Sequence, residues 1–202
     1  MRARTRRTCR AAALLTALPA SANAHLVSAR FGDFYVGLMH PLTAFENVLP
    51  WLALALLAGL QSVHASRGLL GLFPLAVALG AAAPQLLPGL TGITTANAAS
   101  FVLLGLIVAI APRLRTGLLV TLAVLAGLTH GYDNGLAYAP GGDLLLFVSG
   151  VACAAYLSLT LVTAGAHRLA TLRDWGAIAL RAAGSWIAAI GIMMIGLAFA
   201  PA

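Results

Sequence analysis

The stretch "HPLTAFEN" carries four side chains that could bind or orient an ion: His40, Thr43, Glu46 and Asn47. It comes shortly before the apolar run "LALALLAGL", so it lies at the start of a segment suited to lipid. His40 and Asn47 are seven residues apart and would share one face of a continuous helix, with Thr43 between them. We therefore predict a groove lined by His40, Thr43 and Asn47, with Glu46 at its flank.

A second polar stretch, "HGYDN", places His130 and Asn134 four residues apart near the end of a later apolar run. These two side chains would share a helix face if the helix continues that far. Imidazole, carboxylate and amide oxygen together suit nickel, cobalt, copper or zinc, and ionisable residues in a membrane span are candidates for function. We predict a metal site formed by His40, Glu46 and His130. The neighbouring polar residues are predicted to orient or supplement it: Thr43, Asn47, Asp133 and Asn134.

Structural explanations compete with this metal site. Glu46 could pair with His40 or His130 only to brace two helices. His130 could simply cap a helix end, and two histidines on facing helices could also hold haem. His64 and His167 fall at the opposite ends of their segments, where solvent or lipid headgroups are the expected surroundings.

The composition indicates the elements that must position these residues. Of 202 residues, 61% are hydrophobic and 8% are charged, against roughly 25% charged residues in soluble domains. The mean hydropathy is +0.96, and about 20 apolar residues span a bilayer as a helix. We predict an all-α integral membrane bundle of six transmembrane helices after a cleaved signal peptide. The six spans are predicted at roughly 36–60, 68–87, 94–111, 116–132, 143–165 and 175–199.

The N-terminus has the pattern of a secretory signal peptide. Five arginines fall within the first ten residues, and the short apolar run "RAAALLTALPASANA" ends in small residues. We predict a signal peptide at 1–24, cleaved after Ala24, and one membrane domain at 25–202. An uncleaved amphipathic anchor is the alternative. Cleavage would make His25 the N-terminal residue, whose amine and ring are a further, weaker candidate for metal binding.

Loop charges predict the orientation. The arginines of the mature chain concentrate in one set of connections: Arg67, Arg113, Arg115, Arg168 and Arg173. The other connections hold Arg30, Asp33, Asp133 and Asp143. The positive-inside rule places the arginine-rich set in the cytoplasm. We therefore predict a multi-pass protein of the bacterial inner membrane, with both mature termini in the periplasm and both polar stretches at the periplasmic side.

Several classes of function find no support in the residues. Spacing supports no catalytic triad, phosphate loop or nucleotide motif, so we do not expect an enzyme. Seven arginines and five acidic residues remain beyond the leader, and no basic patch interleaved with aromatics predicts nucleic-acid binding. Cys153 is the single cysteine after the leader, so no disulfide can form within the mature chain.

The stretch "HPLTAFENVLPWLALALLAGL" resembles the pattern H-P-L-x-G-x-D-H-L-L of the HupE/UreJ family of small nickel-uptake membrane proteins. His40 matches the first histidine, Glu46 stands in place of the aspartate, and Asn47 in place of the second histidine. The stretch "THGYDNGLA" is similar to the family's second motif, H-G-x-A-H-G-x-E. There His130 matches, and Asn134 replaces the second histidine.

This resemblance implies a six-span permease that takes a divalent metal from the periplasm between spans one and four. Nickel is the expected ion, with cobalt or copper as alternatives; a true N-terminal His25 would favour copper. The ion is cargo, and no tightly bound cofactor is expected. The rival is a non-transporting accessory membrane subunit that binds a metal or a partner enzyme. Expected partners are the metal ion, the lipid bilayer and partner membrane subunits or metalloenzyme maturation proteins, but no nucleic acid.

Overall fold

The computed structural model describes the backbone of residues 20–198 and the side chains of residues 32–197. This part of the chain is all-α, as the sequence predicts. Its seven α-helices are α1 (Ala20–Thr43), α2 (Phe45–Leu60), α3 (Val63–Ala82), α4 (Ile93–Ile110), α5 (Thr116–Gly135), α6 (Leu144–Leu172) and α7 (Gly176–Ala198), with a 3₁₀ turn at Ala83–Gln85. The chain divides into two compact units at Gly32. All contacts described below lie within the second unit, which begins at Asp33.

The first predicted span is broken, so its prediction as one helix over 36–60 was wrong. The chain leaves the helix at Ala44, whose backbone is extended (φ −97°, ψ 111°), and the segments on either side meet at 75°. Pro41 lies near the end of α1. Because proline has no N–H and its ring crowds the preceding turn, Pro41 weakens the helix just before the break.

The boundaries of the other helices agree with the predicted spans to different degrees. α4 and α7 match the predicted spans at 94–111 and 175–199 within a few residues. α3 begins at Val63, ahead of the predicted 68, and α6 continues to Leu172, beyond the predicted 165. Four described helices, α3, α4, α6 and α7, are long and apolar enough to cross a membrane, or five spans if the bent α1–α2 pair counts as one. α5 is absent from that set because its last turns carry polar residues, so six spans remain a prediction.

Hydrogen bonds bring the helix ends together in two groups. The Gln61 side chain, just after α2, donates to the carbonyl of Pro112 (3.1 Å) and accepts from the N–H of Leu114 (3.0 Å). His167, late in α6, donates from Nδ1 to the carbonyl of Gly59 (3.4 Å). These contacts gather five arginines at what we call the basic end: Arg67, Arg113, Arg115, Arg168 and Arg173.

The opposite end of the bundle is acidic. The Asp33 carboxylate of α1 accepts a hydrogen bond from the N–H of Asp143 (2.6 Å) at the start of α6. Asp143 in turn caps α6, accepting from the N–H of Leu146 (3.0 Å). Glu46 begins α2 and Asp133 ends α5 at this same end, which we call the acidic end. The separation of charge along the chain is therefore also a separation in space.

α3 and α5 pack with their backbones in direct contact. Gly127, Gly131 and Gly135 follow one face of α5 at intervals of four residues. A Cβ at Gly131 would collide with the carbonyl of Val77, and one at Gly135 with the carbonyl of Ala81. Small residues permit this approach between membrane helices. It holds the polar end of α5 in a fixed position, because His130 and Asn134 directly precede two of these glycines.

Candidate functional site

One contact joins the two polar stretches across α1 and α5. The imidazole of His40 donates from Nδ1 to the amide oxygen of Asn134, at 2.9 Å. Asn134 is fully buried, and its amide nitrogen donates to the backbone carbonyl of His130 at 2.8 Å. The second bond fixes which side of the Asn134 amide is oxygen. His40 is thus the hydrogen donor, and Nε2 is the ring nitrogen left for another ligand.

A second contact joins α2 and α5 deeper in the bundle. Nδ1 of His130 lies 3.3 Å from the amide oxygen of Asn47, and the two side chains are 0% and 1% exposed. Since an amide oxygen can only accept, His130 carries a proton on Nδ1. Nε2 lies 2.8 Å from the hydroxyl of Ser100 on α4. Both nitrogens of this imidazole are engaged, as a buried polar group requires.

The two contacts exchange partners between the stretches. His40 of the first stretch bonds Asn134 of the second, and His130 of the second bonds Asn47 of the first. We call them the crossed pairs. α5 ends at Gly135, beyond the predicted 132, and therefore continues far enough for His130 and Asn134 to share a face. His130 therefore does not cap a helix end.

Two carboxyl groups lie at the acidic end, beside the crossed pairs. Glu46 is exposed and Asp133 is half-buried. Asp133 directly precedes Asn134 and Glu46 directly precedes Asn47, so each carboxyl group is next in the chain to one of the crossed contacts. Like charges held close together without a cation are unfavourable. The arrangement therefore favours a cation at the acidic end, near the free Nε2 of His40.

Thr43 does not line a groove with His40 and Asn47, because the chain bends between them. Its hydroxyl donates to the carbonyls of Met39 and His40 (both 3.1 Å) in its own helix, and the side chain is exposed. The predicted shared face was wrong because it assumed an unbroken helix. Thr43 satisfies carbonyls at the end of α1, where helices leave such groups without partners. His25 lies in the part of α1 whose side chains are not described, and residues 1–19 of the predicted signal peptide lie outside the described residues.

Two polar residues of α4 belong to the site and were missed by sequence reasoning. Ser100 bonds His130, and its hydroxyl also lies 2.7 Å from the carbonyl of Asn97. Asn97 donates to the carbonyl of Thr129 at 3.4 Å, while its own amide oxygen is buried and has no partner within the described part of the chain. The signal was present in "NAAS": two polar residues three apart, on one face of an otherwise apolar span.

The metal ligands predicted from the sequence are brought near one another without forming a closed cage. Within residues 32–197, no group of three His, Cys, Asp or Glu side chains is arranged to hold a metal ion. His40 and His130 bond the crossed asparagines, and no bond from either to Glu46 is described. The alternative in which Glu46 braces two helices through an imidazole therefore gains no support.

Comparison with known proteins extends these observations. A family model described as "HupE / UreJ protein" matches residues 12–194. No curated protein and no solved structure matches the chain. The family match covers both polar stretches and extends into the last helix, and together with the apolar helices it indicates a multi-pass membrane protein.

Proposed function

Because the chain belongs to the HupE/UreJ family, we propose that it is an inner-membrane permease that takes nickel from the periplasm. Members of this family are associated with nickel or cobalt uptake or with accessory roles, and it is not a known enzyme family. The observation that carries the proposal is the pair of crossed contacts. They join the two motifs, because the histidine of each motif bonds the asparagine of the other.

In the proposed route the ion first meets the acidic end. Glu46 and Asp133 offer negative charge there, and His40 offers Nε2, since its Nδ1 is bonded to Asn134. Carboxylate oxygens offset the charge of a divalent ion, and neutral imidazole is the commonest protein ligand for such metals. His40 and Glu46 thus act as capture ligands, and Asp133 supplements them.

The second step brings the ion to His130. Both ring nitrogens of His130 are occupied, by Asn47 and Ser100, so ligation requires the release of one bond. Nδ1 carries the proton that faces Asn47, so we expect the ion to bind at Nε2, once the Ser100 hydroxyl turns fully to the carbonyl of Asn97. Asn47 and Asn134 then orient the imidazoles between transfer events. The cargo passes between the α1–α2 pair and α5.

Nickel uptake by cells expressing the whole chain tests this proposal. We expect His40→Ala, Glu46→Ala and His130→Ala each to lower uptake towards that of cells without the protein. His64→Ala is the matched control, because His64 is an exposed histidine at the opposite end. The amount of each variant in the membrane is measured in parallel. Unchanged uptake in both the His40 and Glu46 variants would remove the site from the proposal.

A non-transporting accessory subunit is the second candidate. The observation in its favour is that both crossed contacts are complete neutral hydrogen bonds, which could simply hold the helices together. The purified chain in liposomes distinguishes the two functions. Nickel entry that depends on His40 supports the permease. Absence of flux, with co-purification of a larger membrane complex, supports the accessory role.

Copper in place of nickel depends on the mature N-terminus. A terminal amine and ring on His25 form a chelating pair for copper. N-terminal sequencing of the protein isolated from membranes, combined with competition between nickel and copper in the uptake assay, decides between these ions.

A further inference from the structure

A cavity of about 180 Å³ lies at the basic end of the bundle, where α2 ends, α3 begins and α6 passes both. One buried water requires only ~10–15 Å³ of such space, so the cavity could hold a larger group. Apolar atoms form most of its wall. Its polar groups come from Gln61, Ser66, Arg67, Thr160, Thr163 and His167. It lies at the opposite end from the metal site proposed above.

The polar lining favours an anion. Arg67 supplies a permanent positive charge, and none of the described lining residues is acidic. The first turn of α3 also lines the cavity at Val63, and helix N-termini attract negative charge. The Thr160 hydroxyl is buried and has no partner among the described residues. A buried hydroxyl of this kind needs an acceptor, and an anionic oxygen beside Arg67 would supply one.

The surroundings of the cavity favour a lipid over a free anion. Val63, Arg67 and Ala164 are its exposed lining residues, so the mouth opens on the outer surface of the bundle. Leu161 and Leu157 precede Ala164 by three and seven residues on the same face of α6, and they are 68% and 46% exposed. An acyl chain can lie along this apolar face while a headgroup occupies the mouth.

We propose that this cavity binds the headgroup phosphate of an anionic phospholipid, between Arg67 and the Thr160 hydroxyl. Basic pockets between membrane helices bind anionic headgroups in this manner. His167 flanks the site, with its Nδ1 held by the carbonyl of Gly59 (3.4 Å). The bound lipid stabilises the packing of the start of α3 against α6 at the basic end. This site does not depend on metal transport.

Lipid titration of the purified full-length protein in neutral detergent, followed by native mass spectrometry, tests the proposal. The probes are phosphatidylglycerol, phosphatidylcholine and inorganic phosphate. We expect phosphatidylglycerol to bind best. Arg67→Gln should weaken its binding about tenfold, the effect of losing one charge-assisted contact. Thr160→Val, which removes the hydroxyl at equal size, should weaken it about threefold, in line with a neutral hydrogen bond.

Two further variants separate a built site from general attraction to a basic surface. Arg67→Lys keeps the charge and should retain most of the binding. Arg115→Gln removes an exposed arginine of the same end that does not line the cavity, and should leave binding unchanged. Equal loss in Arg67→Gln and Arg115→Gln, or no loss in Arg67→Gln and Thr160→Val, would overturn the proposal. Binding of inorganic phosphate as tight as that of phosphatidylglycerol would overturn the assignment to a lipid.

Discussion

Asn47 and His130 should be energetically coupled in their contributions to the free energy of unfolding. Both side chains are almost completely buried and lie 3.3 Å apart. Asn47→Leu replaces the amide by an apolar group of similar size and leaves the Nδ1–H of His130 without an acceptor. An orphaned buried donor costs about 1–3 kcal/mol. The double variant Asn47→Leu/His130→Leu removes donor and acceptor together. It should therefore lose less stability than the two single variants combined, by about 0.6–1.7 kcal/mol, as for coupled polar pairs in membrane proteins.

The assay is reversible unfolding in mixed micelles, followed by circular dichroism and tryptophan fluorescence. Thr121→Val provides the control cycle with His130→Leu. The Thr121 hydroxyl bonds only the carbonyl of Gly117 in its own helix (3.0 Å), so its effect should add to that of His130→Leu within about 0.5 kcal/mol. If Asn47→Leu and His130→Leu are equally additive, the contact contributes nothing specific, and the reasoning from the crossed pairs fails.

Other consequences concern packing, a loop and the ligand set. Gly131→Ala should destabilise the fold by about 1–3 kcal/mol, because the new Cβ would be overpacked against α3. Gly71→Ala should be neutral or stabilising, because nothing lies within 4 Å of its new Cβ. Thermal unfolding of the two variants measures the difference. Tyr132→Phe loses the hydroxyl that donates to and accepts from the segment between α3 and α4, and hydrogen exchange there should rise with no change in α7. Asn47→His combined with Asn134→His should tighten nickel binding about tenfold, measured by calorimetry, because imidazole is the better ligand; equal affinity would contradict the proposed site.

Composition and hydrophobic runs were sufficient for the fold class, because apolar segments of spanning length have few alternatives to helices. They did not predict the break at Ala44, since Pro41 and a small residue suggest a helix end without fixing where the chain turns. The family pattern offered a further signal, because it has glycine where this chain has Ala44. Gly184 and Gly191 of α7 pack closely against α4, whereas a Cβ at Gly71 would have no neighbour within 4 Å. Small residues permit close packing but do not say which face has a partner.

The arrangement of the polar residues was predicted in part, whereas their binding of a metal ion stays a prediction. His40, His130, Asn47 and Asn134 meet, as depth along the spans suggested, but spacing could not pair them across helices. Thr43 was included because the helix was taken as continuous. Asn97 and Ser100 of α4 were missed because a sequence gives no distance between α4 and α5. The periodicity of a sequence indicates which residues share one face of a helix. Which residues of two helices meet depends on the packing angle between the helices, and small residues are compatible with several angles.

The crossed pairs change how the two asparagines are interpreted. Taken along the sequence, each looks like the loss of a histidine from its own motif. In space, Asn47 and Asn134 lie in different contacts, and each faces the histidine that the other motif retains. If only one of the two motif histidines were replaced by asparagine, one contact would hold two imidazoles and the other only one. With both replaced, each contact pairs one imidazole with one amide oxygen. The four positions of the crossed pairs thus remain polar, with two imidazoles and two amide oxygens. Since oxygen donors bind transition metals less tightly than nitrogen donors do, the proposed permease would release its ion more readily with this set than with four imidazoles.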